Sequence, residues 1–299
     1  MPAAPPERVP VYGGFDYVTV DVQRRRVYAA HGGARSLMIV DADSGKVLGQ
    51  VRVGPMAGVA VDAQSGHVYT GNGLERSISE VDPVAMKELR SVDVDGPVDA
   101  IAYDAGSGRI FADEGDGTRV FVIDAKTFKQ IGTIALPGHK PEYLDISNDK
   151  HELYQNIDDL SEVAVVDAGT LNVKRIIKTP ELTHNHPLQY DPAFDQILTA
   201  GSNGVLSVYT SAGRLLHKIT IPEHVDQCSL DKQRHLLACA AGGKITLIKN
   251  DGTSVPQIVG QIDVARGMHT LAVDPKTGNI WAVWATQDGD FVQQFTAAP

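Results

Sequence analysis

A repeat of about 42 residues runs through the whole chain and restricts its fold more than any other feature. Each repeat reads as four short strands with turn residues between them, which is the pattern of one propeller blade. The residues that end the first strand of each repeat follow one another at intervals of 40 to 44 residues: Asp21, Asp62, Asp104, Ser147, Asp191, Asp231 and Asp274. The sequence therefore predicts an all-β protein, a single seven-bladed β-propeller domain over residues 1–299 with four antiparallel strands per blade.

The seventh repeat lacks a fourth strand. Its three strands are MHTLAVD, NIWAVWAT and DFVQQFTA. The N-terminal segment RVPVYG, residues 8–13, has a strand pattern, so we predict that it pairs with the last blade and closes the ring. The predicted blades cover about 13–54, 55–96, 97–138, 139–180, 181–223, 224–266, and 267–299 together with 8–13.

Several segments resemble the YVTN-type repeats of the YncE-like bacterial proteins. These segments are VYAAHGG, VYTGNG and SEVAVVD, each followed by a turn of the D-x-x-T-x-K kind, and the opening pair GGFDYVTVD and RRVYAAHGG. The resemblance covers nearly the whole chain and implies a seven-bladed propeller. It also implies an exported bacterial protein of unassigned activity, with lactonase-type propellers as related proteins. The fifth and sixth repeats depart from the pattern, because VLSVYTSAGR and ITLIKNDG replace the I-V-D ending.

The composition argues against two classes of protein. The formal net charge is −10 and the basic run Arg24-Arg25-Arg26 is isolated, so we expect no nucleic-acid-binding surface. The sequence has no apolar stretch of about 18 residues, so no membrane span is expected. The opening MPAAPPERVP lacks the apolar core of a signal peptide, but residues 2–6 read as a linker left after signal removal. This favours a periplasmic protein; a cytoplasmic protein with a frayed tail is the alternative, and a monomer is expected in either case.

The start of each first strand supplies a candidate site. Five positions before the aligned strand ends lie Asp16, Ala57, Asp99, Glu142, His186, Asp226 and His269. Six of these seven residues are ionisable, whereas the residues just before them are almost all apolar. Because alternate residues of a strand face opposite sides, we expect the ionisable set to point at the channel axis, at one mouth of the propeller.

The ends of the second strands should add a second polar layer to this mouth. In an antiparallel pair these ends lie beside the starts of the first strands. We therefore expect His31 near Asp16 and Glu114 near Asp99. The residues expected to contact a small-molecule ligand here are Asp99, Glu114, Asn72, Trp284 and the loop residue His184.

Two imidazoles among several carboxylates leave two alternatives for the channel mouth. One is a divalent metal site, in which His186, Asp226, His269 and Asp16 hold Zn, Mn or Fe. Calcium would instead prefer an all-oxygen set: Asp16, Asp99, Glu142 and Asp226. The other alternative is a metal-free network in which His186 and His269 pair with Asp226.

Nucleophilic catalysis finds little support, because the sequence contains no G-x-S-x-G elbow and no phosphate-binding glycine loop. The remaining enzyme class is a metal-dependent hydrolase that directs water at a small lactone, ester or phosphotriester. In such an enzyme the cation would polarise the substrate oxygen, and Glu142 or His31 would accept the proton of water. The alternative is a non-enzymatic propeller that binds a metal or metabolite at the same mouth and contacts other proteins through its outer faces.

The two cysteines also leave alternatives open. Cys228 and Cys239 are predicted on neighbouring strands of the sixth blade. They can form a cross-strand disulfide in an oxidising compartment, or remain two buried thiols that pack as small apolar side chains.

Overall fold

Seven four-stranded antiparallel sheets make up the protein. The computed structural model describes residues 7–9 and 14–296. Each sheet is one blade, and six of the seven are built from four strands in chain order. The predicted fold class, a seven-bladed β-propeller, is confirmed. The fifth and sixth repeats, whose sequences depart from the pattern, also form complete four-stranded blades.

The strands, from the innermost to the outermost of each blade, have the following bounds. Blades one and two contain β2 (Val18–Asp21), β3 (Arg26–His31), β4 (Ser36–Asp41) and β5 (Val47–Arg52), then β6 (Met56–Val61), β7 (Val68–Asn72), β8 (Ser77–Asp82) and β9 (Lys87–Asp93). Blades three and four contain β10 (Val98–Asp104), β11 (Arg109–Glu114), β12 (Arg119–Asp124) and β13 (Lys129–Ala135), then β14 (Pro141–Ser147), β15 (Glu152–Ile157), β16 (Glu162–Asp167) and β17 (Asn172–Lys178). Blades five and six contain β18 (Asn185–Asp191), β19 (Gln196–Gly201), β20 (Val205–Thr210) and β21 (Leu215–Thr220), then β22 (Cys228–Asp231), β23 (Leu236–Ala241), β24 (Lys244–Lys249) and β25 (Gln257–Asp263). Blade seven contains β26 (Thr270–Val273), β27 (Ile280–Thr286), β28 (Gly289–Phe295) and β1 (Glu7–Val9), and a short 3₁₀ helix spans Asp158–Leu160.

The repeated aspartates hold the turn after each innermost strand. The Oδ1 atom of Asp21 accepts the backbone N–H groups of Gln23 and Arg24, at 3.0 Å each. Asp231 does the same in the sixth blade, with Gln233 and Arg234. An aspartate that satisfies the amides of its own turn favours the chain reversal, which explains why the residue recurs in the repeat.

Burial follows the position of a strand in its blade. The third strand β8 is buried at five of its six positions, whereas the outermost strand β9 is mostly exposed. The middle strands are covered on both faces by the neighbouring blades, so they carry long apolar runs such as Leu37 to Val40, all fully buried. The core therefore lies between the blades, and the channel is lined by the innermost strands.

The N-terminal strand closes the ring. Strand β1 pairs antiparallel with β28, so that Glu7 lies opposite Val292 and Val9 opposite Asp290. The predicted pairing of the two termini is confirmed. The strand was predicted over residues 8–13, of which 10–13 lie outside the described residues.

Cys228 and Cys239 lie directly opposite each other on β22 and β23 and form a disulfide. Of the two alternatives that the sequence left open, the structure has the cross-strand bridge. Both cysteines are buried in the core between blades five and six.

The sequence predicts that no segment of the chain spans a membrane. Among the described residues, no helix is long and apolar enough to cross a membrane.

Candidate functional site

The ionisable residues predicted to face the axis come together at one end of the channel. Asp99, Glu142 and His186 lie at the second positions of β10, β14 and β18. The other three, Asp16, Asp226 and His269, lie in the segments that lead into β2, β22 and β26. Together these six residues are called the mouth cluster below. Its members come from six different blades, so the ring must be assembled before the cluster exists.

Irregular strand pairing positions several members of the cluster. The pairing of β10 with β11 shifts between Val98 and Ile101, and that of β18 with β19 shifts between Asn185 and Leu188. Asp99 and His186 lie inside these irregular segments. Such a shift frees backbone groups from the ladder and re-aims the side chains around it.

Side chains of the second strands satisfy the freed backbone groups. Asp113 of β11 accepts the backbone N–H of Ala100 at 2.7 Å. Asn156 of β15 donates to the carbonyl oxygens of His186 and Pro187, at 2.8 and 3.1 Å. Both residues are fully buried, so they fix the inner strands from behind.

His186 joins two blades by ion pairs. Its Nε2 atom lies 3.0 Å from Oε2 of Glu142, and its Nδ1 atom lies 3.2 Å from Oδ1 of Asp226. The second carboxylate oxygen of Asp226 lies 2.5 Å from Nδ1 of His269. One carboxylate thus connects both imidazoles, which is the pairing of the metal-free alternative.

These contacts set the charges of the two histidines. Burial lowers the pKa of His186, but its hydrogen bond with Glu142 and the charge of Asp226 outweigh burial and raise the pKa to about 10. The hydrogen bond with Asp226 raises the pKa of His269 above its usual value. Burial alone would raise the pKa of Asp226, yet its hydrogen bond with His269 and the charge of His186 lower it. Near neutral pH His186 is therefore an imidazolium group, and the pairing with Asp226 favours the protonated form of His269 as well.

The pKa values of Asp16, Asp99 and Asp113 are shifted in the direction opposite to that of Asp226. Burial and the charge of Asp226 raise the pKa of Asp16 to about 6. Burial also raises the pKa of Asp99 well above its usual range, with a further contribution from the neighbouring Asp113. The pKa of Asp113 itself is raised by burial. Carboxyl groups held close together in a buried space keep their protons to a higher pH.

A cavity of about 320 Å³ opens beside the cluster, between the first three blades. Asp99, Glu142 and Asp116 provide its carboxyl groups. Its apolar wall includes Met56 and Leu74, and Leu74 is 83% exposed at the rim. The mouth therefore combines acidic groups with an apolar surface large enough for a small organic molecule.

Two residues of the predicted second layer are fully buried. The Nε2 atom of His31 lies 2.6 Å from Oδ2 of Asp290, and its ring stacks on Phe15. Asn72 donates to the hydroxyls of Ser77 and Ser79. The predicted roles of His31 and Asn72 would require these side chains to become accessible.

The other members of that layer also have local partners. Glu114 is paired with Arg119, and Trp284 stacks on Phe291 with 5.5 Å between the ring centroids. His184 is exposed and its Nδ1 atom lies 2.9 Å from Oδ1 of Asp158. Within the described part of the chain, no hydrogen bond or ion pair joins this second layer to the mouth cluster. Its predicted contacts with a ligand stay predictions.

Gln227 is a residue of the site that the sequence interpretation did not include. Its amide donates to Oδ1 of Asp16 at 3.3 Å, and its carbonyl oxygen accepts the hydroxyl of Thr270 at 2.5 Å. Gln227 thereby connects blades six, seven and one at the mouth. Its position next to Asp226 was the available signal, but the alternation rule assigned it to the opposite face.

The arrangement of the side chains also bears on whether the mouth can hold a metal ion. In residues 14–296, no group of three or more His, Cys, Asp or Glu side chains is arranged so that it could hold one. The predicted ligands His186, Asp226, His269 and Asp16 would have to exchange their present partners for a metal. Metal binding remains a prediction.

Comparisons with known proteins identify the fold alone. No protein-family model and no curated protein matches the chain. Among solved structures, hydrazine synthase of Kuenenia stuttgartiensis has a TM-score of 0.85 at 16% identity, covering 98% of this chain and 97% of that one. The WD40 repeats of RRP9 have a TM-score of 0.87 at 11% identity, covering 99% and 98%. U3-55K has a TM-score of 0.86 at 11% identity, covering 99% and 100%.

At such low identity these neighbours support the seven-bladed propeller and say nothing of the reaction or ligand, because propellers serve many unrelated functions. The resemblance to the YncE-like family stays a prediction.

Proposed function

We propose that the protein binds a small, positively charged organic molecule at the mouth of its channel. The observation that supports this is the cavity beside the mouth cluster, whose acidic lining residues are Asp99, Asp116 and Glu142. No basic residue is among its described lining residues. An ammonium or guanidinium group placed here would favour the ionised carboxylates and would be held by charge-assisted hydrogen bonds.

The apolar side of the cavity selects the rest of the ligand. Met56, Val98 and Leu74 line the same cavity as the carboxyl groups and contribute its hydrophobic surface. A ligand with a cationic head and an apolar body would cover this surface and remove it from water. The proposed ligand class is therefore an amphipathic amine.

Calorimetric titration with matched probes tests this proposal. 1-Naphthylmethylamine should bind, and the neutral 1-naphthylmethanol should bind at least about tenfold more weakly, because a charge-assisted hydrogen bond is lost. Glu142→Gln and Asp99→Asn should each lower the affinity for the amine. Asp263→Asn, at an exposed position of β25, is the matched control and should leave its affinity unchanged. Equal binding of both probes, or no binding of the amine, would contradict the proposal.

Hydrolysis is a second candidate function, supported by the pairing of Asp226 with His269. Asp226 binds Nδ1 of His269, and among the described residues Nε2 has no hydrogen-bond partner. In the neutral ring, a carboxylate that orients an imidazole in this way prepares the other nitrogen to accept a proton from water. Because pairing with Asp226 raises the pKa of His269, this reaction should become faster as the pH rises. The substrates would be small lactones, esters or phosphotriesters.

In the metal-assisted form of this reaction, Zn, Mn, Fe or Ca would polarise the substrate oxygen and activate water. His186, Asp226, His269 and Asp16 are the candidate ligands, and Glu142 would act as the base. Elemental analysis and titration with each metal test the cofactor, and turnover of p-nitrophenyl acetate, a thiolactone and a phosphotriester tests the reaction. His269→Ala and Asp226→Asn should each abolish turnover. If neither variant changes the rate, the mouth cluster is excluded as the catalytic site.

We infer that the protein works in an oxidising compartment, as an exported protein. The disulfide between Cys228 and Cys239 supports this, because such bridges persist in the periplasm and outside the cell. Thiol labelling of the protein in fractionated source cells should find it oxidised and in the exported fraction. Free thiols in a cytoplasmic fraction would contradict this location.

A further inference from the structure

A groove on the outside of blades one and two has chemistry opposite to that of the channel mouth. It has a volume of about 580 Å³. Seven residues line this blade 1–2 groove: Arg24, Arg26, Tyr28, Leu48, Pro83, Val84 and Met86. Arg24 lies in the turn after β2 and Arg26 is the first residue of β3, at the end of the blade away from the mouth cluster.

Tyr28 brings a buried hydroxyl group to the groove. The residue is fully buried on β3, yet among the described residues its hydroxyl has no hydrogen-bond partner. Burial and, to a smaller extent, the negative charge of Asp21 raise the pKa of Tyr28, while the positive charges of Arg26 and Arg24 act against this rise. The hydroxyl therefore lies within electrostatic reach of both guanidinium groups. A buried hydroxyl without a partner is unfavourable by about 1 to 3 kcal/mol, so a ligand that accepts its proton would gain from this contact.

The two arginines are held in place but keep free donors. The Nη1 atom of Arg26 lies 2.6 Å from Oδ2 of Asp41, and its other hydrogen bond within the described residues also uses Nη1. Arg24 contacts Asp21 and the carbonyl oxygens of Ala63 and Gln64 through Nη1 and Nη2. A guanidinium has five N–H groups, so Arg26 retains several that are fixed in direction and partly exposed.

The opposite wall of the groove is apolar. Leu48 is 41% exposed on β5, and Val84 is 85% exposed in the turn between β8 and β9. Met86 lies across β5 at Gly49, where a β-carbon would come within 3.2 Å of its Cε atom. Gly49 thus allows Met86 to connect the turn of blade two with the outer strand of blade one.

We propose that the blade 1–2 groove binds a small amphipathic anion, namely an aromatic or aliphatic carboxylate. The carboxylate would accept hydrogen bonds from Arg26 and, once a small movement of the Tyr28 ring exposes its buried hydroxyl, from Tyr28 as well. Its apolar part would lie against Leu48, Val84 and Met86. A volume of about 580 Å³ suits a ligand of this size. The net charge of −10 would repel anions from most of the surface, so the arginines of this groove would also provide selectivity.

The probe for this groove is 1-naphthylacetate, with neutral 1-naphthylacetamide as its matched control. Calorimetric titration should find that the acetate binds and that the acetamide binds at least about tenfold more weakly. Tyr28→Phe should lower the affinity for the acetate about threefold to tenfold, because one hydrogen bond is lost. The same change removes a buried hydroxyl that has no partner, so it should not lower the melting temperature, and weaker binding will not reflect unfolding.

Three further variants locate the site. Val84→Ser, at an exposed position of the groove, should lower the affinity for the acetate. Val259→Ser, at the 58% exposed position of β25, should leave this affinity unchanged. Glu142→Gln should leave the acetate affinity unchanged, which separates this groove from the channel mouth whether or not an amine binds there. Equal affinity for the two probes, no binding of the acetate, or an affinity that neither Tyr28→Phe nor Val84→Ser changes would overturn the proposal.

Discussion

His186 lies between two carboxylates, and its positive charge is a main determinant of the electrostatics of the channel mouth. The sequence left open whether a metal cation or pairing within the chain balances the negative charge there. The structure provides positive charge within the chain at His186, and pairing with Asp226 raises the pKa of His269 as well. An added metal would have to displace protons from these imidazoles, which is why pH and metal must be varied separately.

The pKa of His186 predicts a dependence of stability on pH. It is raised from 6.5 to about 10 in the folded protein, so its contribution is complete below about pH 6.5 and is lost as the pH rises through about 10. His186→Gln should reduce the fall in unfolding free energy between pH 7 and pH 10. Urea titrations in the presence of EDTA measure the unfolding free energy at each pH, and His217→Gln on the outer strand β21 is the control. Parallel stability curves for wild type and His186→Gln would contradict the assigned charge.

The buried pair of His31 and Asp290 predicts a second effect on stability. It is fully buried with Asp290, and Oδ1 of Asp290 has no further partner among the described residues. His31→Ala would leave a buried carboxyl group unpaired and should destabilise the fold by about 3 to 5 kcal/mol in urea unfolding. The double variant His31→Leu, Asp290→Leu should recover much of this loss. A small effect of His31→Ala, similar to that of His67→Ala at a part-exposed ion pair, would show that the buried pair is unimportant.

The sequence could indicate which residue types lie at the mouth but not their partners. The spacing of six ionisable residues identified one end of the channel. It placed His31 beside Asp16, whereas its partner Asp290 is 259 residues away in the chain. Such a pairing depends on how blade one packs against blade seven, and no local pattern contains that information.

At the level of strands, the irregular pairing of the innermost strands limited the sequence interpretation. The alternation rule assumes a regular ladder, and β10, β14 and β18 each depart from it near the mouth. Tyr143, next to Glu142, even has a φ of 56°. The position of Asp113, which satisfies the backbone of β10 from β11, follows from this irregularity and from nothing visible in the repeat.

The disulfide between β22 and β23 predicts an effect of reduction on blade six. It closes a short loop, with a sequence separation of 11 residues, so its loss should lower the unfolding free energy by about 2 to 3 kcal/mol. Urea unfolding with and without a phosphine reductant measures the change. The double variant Cys228→Ala, Cys239→Ala is the control, since the reductant should not alter its stability. If the reductant changes neither protein, the bridge does not stabilise the blade.

For the whole molecule, the repeat determined the number of blades because each blade must bury both faces against its neighbours. The interval of 40 to 44 residues therefore predicted the complete ring, including the two blades with divergent sequences. The same fold at 11% to 16% identity in the structural neighbours shows how little of the sequence the architecture requires. The side chains at the mouth and in the blade 1–2 groove are free to differ, so function must be tested there.

Ring closure by β1 predicts a global loss of stability on truncation. Deleting residues 1–12 removes the strand that pairs Glu7 with Val292 and Val9 with Asp290, and it leaves β28 as an unpaired edge. The melting temperature in differential scanning calorimetry should fall by at least about 5 °C, since a loss of a few kcal/mol has this effect in a protein of this size. Deleting residues 1–5 keeps β1 and is the matched control. A synthetic peptide of residues 1–13, added in excess to the shortened protein, should restore part of the loss because it can pair with β28. If the two deletions melt together and the peptide has no effect, blade seven is stable with three strands and the ring does not depend on its N-terminal closure.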